Sequence, residues 1–161
     1  MKESLFNIIS QYIYDANVLD LFAGTGNLGI EALSRGARSA VFVDKSSECS
    51  SIIKDNLSHT KLIDKSQVFV GEVCNIIKKL GGNGKKFDII FMDPPYSKNL
   101  IEETLNFIVN NDIIEHNGIV IVERYKDDEI PDSVGSLKLV RDQKYRETVL
   151  SFYVLKSLDQ E

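Results

Sequence analysis

The sequence is poor in the residues that mark several protein classes. Among 161 residues it has two cysteines, three prolines and no tryptophan. Cys49 and Cys74 form no spacing pattern, which argues against a disulfide-stapled scaffold. We expect both to be free, buried thiols in a reducing cytoplasm.

Long hydrophobic runs are also absent. None approaches the roughly 20 residues of a membrane-spanning helix, and the start, MKESLFNIIS, lacks the apolar core and cleavage site of a signal peptide. The two histidines, His59 and His116, belong to no cluster with metal-ligand spacing. We therefore expect them at the surface of a cytoplasmic protein that needs no metal.

The charge is acidic, because 24 Asp and Glu residues outnumber 19 Lys and Arg residues and give a net charge of -5. This balance argues against a general nucleic-acid coat protein, although it leaves room for a local basic face. The length predicts a single domain over residues 1–161, and 43% hydrophobic residues suffice for a substantial core.

Helix and strand patterns alternate along the chain without repeats. The predicted helices are 2–14, 27–35, 47–57, 74–80 and 100–109. The predicted strands are 18–22, 40–43, 68–70, 87–92, 118–123, 137–140 and 148–155. Strands separated by helices predict a mostly parallel α/β sheet covered on both faces, a three-layer α/β/α sandwich. The last two strands, joined by a turn alone, must pair antiparallel.

The first strand leads into a glycine loop and a helix. Residues 24–29, GTGNLG, fit G-x-G-x-x-G: the first glycine permits a tight turn, the second lets the backbone approach a ligand, and the third allows close helix–strand packing. Asp44, 20 residues after Gly24, ends the second strand and could accept hydrogen bonds from ribose hydroxyls. On these features a dinucleotide dehydrogenase and a methyltransferase are close rivals.

Asp20 favours the methyltransferase. A carboxylate beside the glycine loop would repel a pyrophosphate but attract the cationic amino group of a methionine moiety. Glu72, which ends the third strand, could accept from an adenine amino group, with the Val73 backbone at the ring edge. An acid stabilised by a helix dipole explains Glu72 equally well. The candidate site for S-adenosylmethionine comprises Asp20, Phe22, Gly24, Thr25, Gly26, Asp44, Lys45, Glu72 and Val73.

The fourth strand ends in Asp93-Pro94-Pro95-Tyr96, which suits a rigid shelf for a flat polar group. An exocyclic amino group of a nucleobase is a weak nucleophile, because its lone pair is delocalised into the ring. The Asp93 carboxylate and the Pro94 carbonyl could accept its two hydrogens and free that lone pair. Tyr96 offers a face for stacking an unstacked base. We therefore take Asp93, Pro94 and Tyr96 as the catalytic candidates.

Five segments together carry a family resemblance: KESLFNII (2–9), VLDLFAGTGNLGIEALSRGA (18–37), VFVDKS (41–46), FDIIFMDPPYSKNLIEETL (87–105) and IVIVER (119–124). The chain resembles the class I S-adenosylmethionine-dependent methyltransferases, and among them the bacterial 16S ribosomal RNA guanine-N2 methyltransferases. The resemblance implies a Rossmann-like sheet of order 3-2-1-4-5-7-6 with the last strand antiparallel. It also implies guanine N2 as the acceptor, and 16S rRNA within the 30S subunit or an assembly intermediate as the substrate.

The sequence departs from that family in two places. Members usually carry an N-terminal segment with an Arg-Pro-Thr stretch before the KESLFN helix, whereas this chain begins at the helix, so we expect weaker RNA contacts. Members also tend to have a Tyr-Gly pair in the last turn, where this chain has Tyr145-Arg146.

Basic residues follow strands four, five and six, so the topology predicts a basic mouth around Asp93 that could bind RNA phosphates. Its predicted members are Lys98, Arg124, Lys126, Arg141, Lys144 and Arg146, and the acidic residues Asp127, Asp128 and Glu129 interrupt the patch. A solvated charged rim is the simpler reading of each single residue. Two other functions remain open: a DNA adenine-N6 methyltransferase, which also uses DPPY, and a nucleotide-binding Rossmann domain without methyl transfer.

Overall fold

The computed structural model describes residues 1–155 and places eight strands of that range in one sheet. The strands are β1 Asn17–Leu21, β2 Ser39–Asp44, β3 Ser66–Val70, β4 Phe87–Met92, β5 Ile114–Tyr125, β6 Ser133–Val134, β7 Leu137–Tyr145 and β8 Thr148–Leu155. The helices are α1 Lys2–Ile8, α2 Ser10–Ile13, α3 Asn27–Ser34, α4 Ser47–His59, α5 Val73–Gly82 and α6 Leu100–Asn110. Residues 156–161 of the predicted domain lie outside the described range.

The sheet order is β3-β2-β1-β4-β5-β8-β7-β6. Strands β1 to β5 pair in parallel, whereas β8 runs antiparallel to both β5 and β7. The predicted order is thereby confirmed, with one addition: the two-residue strand β6 pairs with the outer edge of β7 and makes eight strands instead of seven.

Several element boundaries differ from prediction; β7, for example, extends five residues past the predicted end at Val140, to Tyr145. The predicted helix over residues 2–14 is interrupted at Ile9, whose φ of -99° and ψ of 12° leave the helical range. Strand β5 begins four residues before the predicted Gly118, with a register shift opposite Phe87 and Ile89 and a positive φ at Asn117. A bulge of this kind carries an irregular stretch within one continuous strand.

Two hydrophobic clusters cover the two faces of the sheet. Helices α5 and α6 contribute Ile77 and Leu105 to one cluster, and α1 and α3 contribute Phe6 and Leu33 to the other. This arrangement confirms the predicted three layers. None of the helices over residues 1–155 is both long and apolar enough to cross a membrane.

The minor surface predictions have mixed outcomes. His59 and His116 are exposed, as expected. Both cysteines are free thiols, but only Cys74 is buried. Cys49, in the first turn of α4, keeps partial solvent exposure, and its amide is bonded to the Ser46 hydroxyl at 3.2 Å.

Gly29 lies where α3 packs against Phe42 of β2 and Asp20 of β1. A Cβ atom there would come within 2.4 Å of the Phe42 ring and 3.2 Å of the Asp20 carboxylate. Phe42 is fully buried, so its ring has little room to move. The third glycine of the loop motif therefore has the packing role that the sequence predicts for it.

We expect Gly29→Ala to lower the free energy of unfolding by about 1–3 kcal/mol, the usual cost of forcing an extra methyl group into a packed core. Gly82→Ala is the matched control, because a Cβ atom at that helical position would meet no atom within 4 Å. Urea unfolding of both variants measures the difference. Equal stability of the two would contradict this role for Gly29.

Candidate active site

The carboxyl ends of β1, β2 and β3 are joined by Asp44. Its two carboxylate oxygens accept hydrogen bonds from the backbone N–H groups of Gly24 and Ser46, each at 2.9 Å. The Asp44 carbonyl accepts from the Gly71 N–H group at 3.0 Å. Asp44 thus fixes the glycine loop relative to the next two strands, a structural role that the sequence did not show.

The loop after β1 has an unusual backbone. Phe22 has a φ of +56°, in the left-handed region that an aromatic residue rarely adopts. Gly24, with a φ of +58°, would carry a Cβ atom that meets nothing within 4 Å, so space is open above this turn. Non-glycine residues held in this region cluster at ligand-binding sites. The geometry therefore suits close approach of a ligand to the loop backbone.

Asp20 lies below that loop, at 3% exposure, and accepts a hydrogen bond from the Gly29 N–H group at 3.0 Å. Burial, and to a lesser extent the nearby charges of Asp93 and Asp44, raise the pKa of Asp20 to about 8 against the opposing effect of the Gly29 bond. Asp20 is therefore positioned to hold α3 against β1, and it carries a proton near neutral pH.

This raised pKa predicts that protein stability depends on pH. The folded state holds a proton on Asp20 over the range from about 4 to about 8, where the unfolded carboxyl has lost it, so this group makes stability fall as pH rises through that range. Asp20→Asn keeps an acceptor for Gly29 and removes the titration. Urea unfolding at about pH 5 and about pH 8 should show the variant gaining stability relative to wild type at the higher pH. If the stability of the variant relative to wild type is the same at both pH values, the raised pKa of Asp20 is contradicted.

The remaining candidate cofactor residues surround the same edge of the sheet. Thr25 and Lys45 are exposed, and the Thr25 carbonyl accepts a bond from the Asn56 side chain of α4 at 3.1 Å. Glu72 is the N-terminal cap residue of α5, yet its exposed side chain makes no capping hydrogen bond. Val73 begins that helix, so its N–H group has no acceptor within the helix. Both groups are thus available at the end of β3.

DPPY lies at the end of β4, beside the glycine loop. The last residues of β1 and β4, Leu21 and Met92, are paired, so Phe22 and Asp93 leave adjacent strands at the same edge. All four DPPY residues line a cavity of about 770 Å³, and the Tyr96 side chain is 83% exposed. Partial burial raises the pKa of Asp93 above its ordinary range. The candidate catalytic residues and the candidate cofactor loop therefore adjoin.

The walls of this cavity are acidic rather than basic. Besides Asp93, they include Glu123, Asp127, Asp128 and Glu129, whereas only Lys98 and Arg124 of the predicted basic mouth line it. The basic residues do follow the predicted strands, but the acidic run 127–129 lines the cavity more fully than they do. That run folds over the same cavity and reverses its local charge.

Arg124 corrects the basic-mouth prediction most clearly. Its side chain is only 9% exposed, and its guanidinium bonds to the Ser151 hydroxyl at 2.8 Å and the Asp128 carbonyl at 3.0 Å. It also pairs with Asp142 at 3.4 Å. An arginine held by these contacts connects β5, β7 and β8, so it is not free to bind a phosphate.

The other basic candidates are more exposed. Lys126 is partly exposed and pairs with Glu147 at 3.2 Å. Arg141 is bonded to Gln143 and lies over the Phe152 ring. Lys144 and Arg146 are exposed at the turn between β7 and β8, where Arg146 has a positive φ. Lys98, Lys144 and Arg146 thus remain candidates for phosphate contact.

Sequence reasoning missed Glu123 and Tyr125, which also line the cavity. Glu123 follows Val122, whose partner in β4 is Met92, so Asp93 and Glu123 succeed paired residues. Burial, and then the charge of Asp93, raise the pKa of Glu123. The sequence signal for Glu123 was its position as the last residue of the predicted strand 118–123, GIVIVE.

Comparison with known proteins agrees with this geometry. The family model described as "Conserved hypothetical protein 95" matches residues 1–154. The chain is 34% identical over 127 residues to the Ribosomal RNA small subunit methyltransferase D of Haemophilus influenzae. The aligned region covers 79% of this chain and 66% of the relative. It is 32% identical over 143 residues to the protein of the same name from Escherichia coli strain K12, covering 89% of this chain and 70% of the relative. The chain therefore spans about two thirds of the length of these relatives.

A solved structure shares the whole fold. A conserved hypothetical protein from Streptococcus pyogenes superposes with a TM-score of 0.89 at 32% identity, covering 97% of this chain and 96% of that one. The family model matches residues 1–154. Both relatives are more than 30% identical to this chain, and each alignment covers more than two thirds of it. The chain belongs to the family described as conserved hypothetical protein 95, and the resemblance to class I S-adenosylmethionine-dependent methyltransferases of the small-subunit methyltransferase D type is confirmed.

Proposed function

We propose that this chain transfers the methyl group of S-adenosylmethionine to the exocyclic N2 of a guanine in 16S rRNA, within the 30S subunit or an assembly intermediate, in the cytoplasm. One observation carries the proposal: β1 and β4 are hydrogen-bonded neighbours, so the loop beyond Leu21 and the DPPY residues beyond Met92 start side by side. Neighbouring strands lie about 4.8 Å apart. A methyl donor on one and an acceptor nitrogen on the other would be within reach.

The residues at the ends of β1 to β3 fit the cofactor. Space is open above Gly24, and the Asp44 carboxylate faces the same edge. Each carboxylate oxygen can accept more than one hydrogen bond, so Asp44 can hold ribose hydroxyls in addition to its two backbone partners. Glu72 and the Val73 N–H group would bind the adenine edge. When bound, the cofactor supplies an electrophilic methyl group on a sulfonium.

On the acceptor side, Asp93 and the Pro94 carbonyl would hold the two hydrogens of the amino group. These acceptors favour a pyramidal nitrogen, whose lone pair can then form the new N–C bond as the C–S bond breaks. The sulfur leaves as the neutral thioether of S-adenosylhomocysteine, and the methylated nitrogen passes one proton to the Asp93 carboxylate. Tyr96 would stack on the extruded base, a contact worth about 1–3 kcal/mol. Much of the rate enhancement would come from this positioning.

The alternative functions have weaker support. A DNA adenine-N6 methyltransferase needs a target-recognition region, but α6 is the single helix between Tyr96 and β5. A dinucleotide-binding domain without methyl transfer would need only the glycine loop. It would make no use of the pairing of DPPY with that loop.

Exposed basic residues at this edge predict a salt-dependent contact with RNA. Lys98→Gln together with Lys144→Gln should weaken substrate binding and reduce the slope of log affinity against log salt by roughly 0.7–0.9 for each lost phosphate contact. Lys85→Gln is the control, because Lys85 is exposed at the opposite edge, just before β4 begins. Affinity for 30S particles measured at several salt concentrations decides the matter. An unchanged slope would mean that these charges are merely solvated.

The proposed function is tested with labelled S-adenosylmethionine, 30S particles that lack the modification, and naked 16S rRNA. We expect N2-methylguanosine after nucleoside digestion of the particles. N6-methyladenosine, or no labelled nucleoside from either substrate, would contradict the proposal. Calorimetric titration with S-adenosylhomocysteine and with NAD separates a methyltransferase from a dinucleotide-binding domain.

A further inference from the structure

Of the carboxylates that line the acceptor cavity, Glu123 is the one that lies within a strand, whereas Asp93 directly follows one. Its neighbours in β5 alternate between the two faces of the sheet: Val122 packs in the cluster beneath α5 and α6, and Ile121 in the cluster beneath α1 and α3. Glu123 therefore points to the same face as Ile121. Asp20, between Leu19 and Leu21 in β1, points to that face as well.

The Glu123 carboxylate is held close to Asp93 without a cation to neutralise it. Asp93 and Glu123 both line the cavity, and they follow the paired residues Met92 and Val122. The ion pairs among residues 1–155 include Arg124, the next residue along the chain, but not Glu123. A partly buried, unneutralised carboxylate is costly unless a ligand donates hydrogen bonds to it.

The loop carboxylates of the cavity differ from Glu123. Asp128 is engaged in its own turn, because its carboxylate accepts from the Tyr125 N–H group at 3.0 Å. Asp127 and Glu129 are exposed residues of the same loop. Unlike these three loop residues, Glu123 belongs to a strand paired with β4. It therefore has the fixed position that base recognition requires.

We propose that Glu123 selects guanine as the acceptor base, by accepting a hydrogen bond from its N1–H while Asp93 accepts one from the N2 amino group. The inference rests on the proposed function. Guanine presents adjacent N1–H and N2–H donors on its Watson–Crick edge, which matches two adjacent carboxylates. Adenine presents a bare N1 acceptor there, which a carboxylate repels. An enzyme that extrudes its target base reads this edge by such hydrogen bonds.

Tyr96 and Tyr125 offer faces on which the acceptor base can stack. They are exposed to 83% and 48% and line the same cavity as the carboxylates. Aromatic side chains stack on any base and so give affinity without selection. The selection therefore falls to the carboxylates at the edge of the base.

The test uses 30S particles reconstituted with guanine or with 2-aminopurine at the methylated position. 2-Aminopurine keeps the 2-amino group but replaces the N1–H donor with an acceptor. We expect wild type to prefer guanine by about 10- to 150-fold in kcat/KM, the effect of one hydrogen bond to a charged group. Glu123→Gln should lose most activity on guanine and bring this ratio close to one, because its amide can donate to the N1 of 2-aminopurine.

Two measurements on the variant and two further variants keep the outcome unambiguous. S-adenosylhomocysteine affinity and thermal unfolding show whether the variant is folded. Glu123→Asp keeps the charge on a shorter side chain, so it should lose activity but retain the preference for guanine, even if the glutamine variant is unstable. Asp127→Asn, a change in a neighbouring exposed carboxylate of the cavity, should leave the wild-type ratio unchanged.

The inference is overturned if Glu123→Gln keeps the wild-type ratio of kcat/KM on guanine to kcat/KM on 2-aminopurine. It is also overturned if Glu123→Asp loses the preference for guanine, or if Asp127→Asn lowers the ratio as much as Glu123→Gln does. Failure of the proposed function has a different result, because wild type would then methylate neither base. In that case the proposed role of Glu123 is refuted together with the proposed function.

Discussion

Replacing Asp93 by alanine should reduce kcat for methyl transfer to 30S particles by about 10²- to 10³-fold, as does the loss of one positioned group that stabilises a transition state. The carboxylate is assigned to the acceptor nitrogen and not to the cofactor. Affinity for S-adenosylhomocysteine should therefore remain close to that of wild type. Single-turnover transfer of labelled methyl, measured with calorimetric titration of the same preparation, shows both effects.

Two control variants distinguish this role from a general effect of charge. Asp93→Asn retains one acceptor oxygen at the same position, so it should lose less activity than the alanine variant. Asp127→Ala removes another carboxylate from the cavity and should leave kcat nearly unchanged. Full turnover by Asp93→Ala would refute the mechanism, since no other side chain has been assigned to the amino hydrogens.

The pH dependence follows from the same assignment. Asp93 must be ionised to accept a hydrogen bond from the amino group, and partial burial raises its pKa above the ordinary range of an aspartate. Glu123 also has a raised pKa, caused first by burial and then by Asp93. The activity should therefore increase with pH through the acidic range, beginning at a higher pH than unperturbed carboxylates would give.

Much of the site was predictable from sequence because its signals are local. A buried strand followed by GTGNLG, or by DPPY, specifies both the backbone turn and the edge of the sheet at which it lies. Parallel pairing then brings the two turns together. Gly29 illustrates the strength of such signals, since its predicted packing role is matched by a Cβ position only 2.4 Å from the Phe42 ring.

The incorrect predictions depend on partners that are distant in the sequence. Arg124 resembled a free cation, but its guanidinium is taken up by Asp142 and Ser151, which come from two strands later in the chain. The sign of the charge around the cavity depended on how the loop 127–129 folds. The break at Ile9 likewise follows no proline or glycine, and no local rule indicated it.

Asp44 combines a structural role with a proposed binding role, and the two can be separated. Asp44→Ala should weaken S-adenosylhomocysteine binding by about 10- to 150-fold for one lost charge-assisted hydrogen bond to the ribose. It should also lower stability in the absence of ligand, because the N–H groups of Gly24 and Ser46 lose their acceptors. Urea unfolding of the free protein measures this second effect alone.

A modified ligand isolates the direct contact. The 2′-deoxy and 3′-deoxy analogues of S-adenosylhomocysteine each lack one ribose hydroxyl, so a direct hydrogen bond to Asp44 predicts that wild type loses affinity for at least one of them. The Asp44→Ala variant should bind that analogue and the parent compound about equally, because the partner of the missing hydroxyl is already gone. Such coupling between a residue and a ligand group is the test of contact in a double-mutant cycle. If both proteins lose the same affinity for each analogue, Asp44 acts only through the position of the glycine loop, and the ribose is held by other groups.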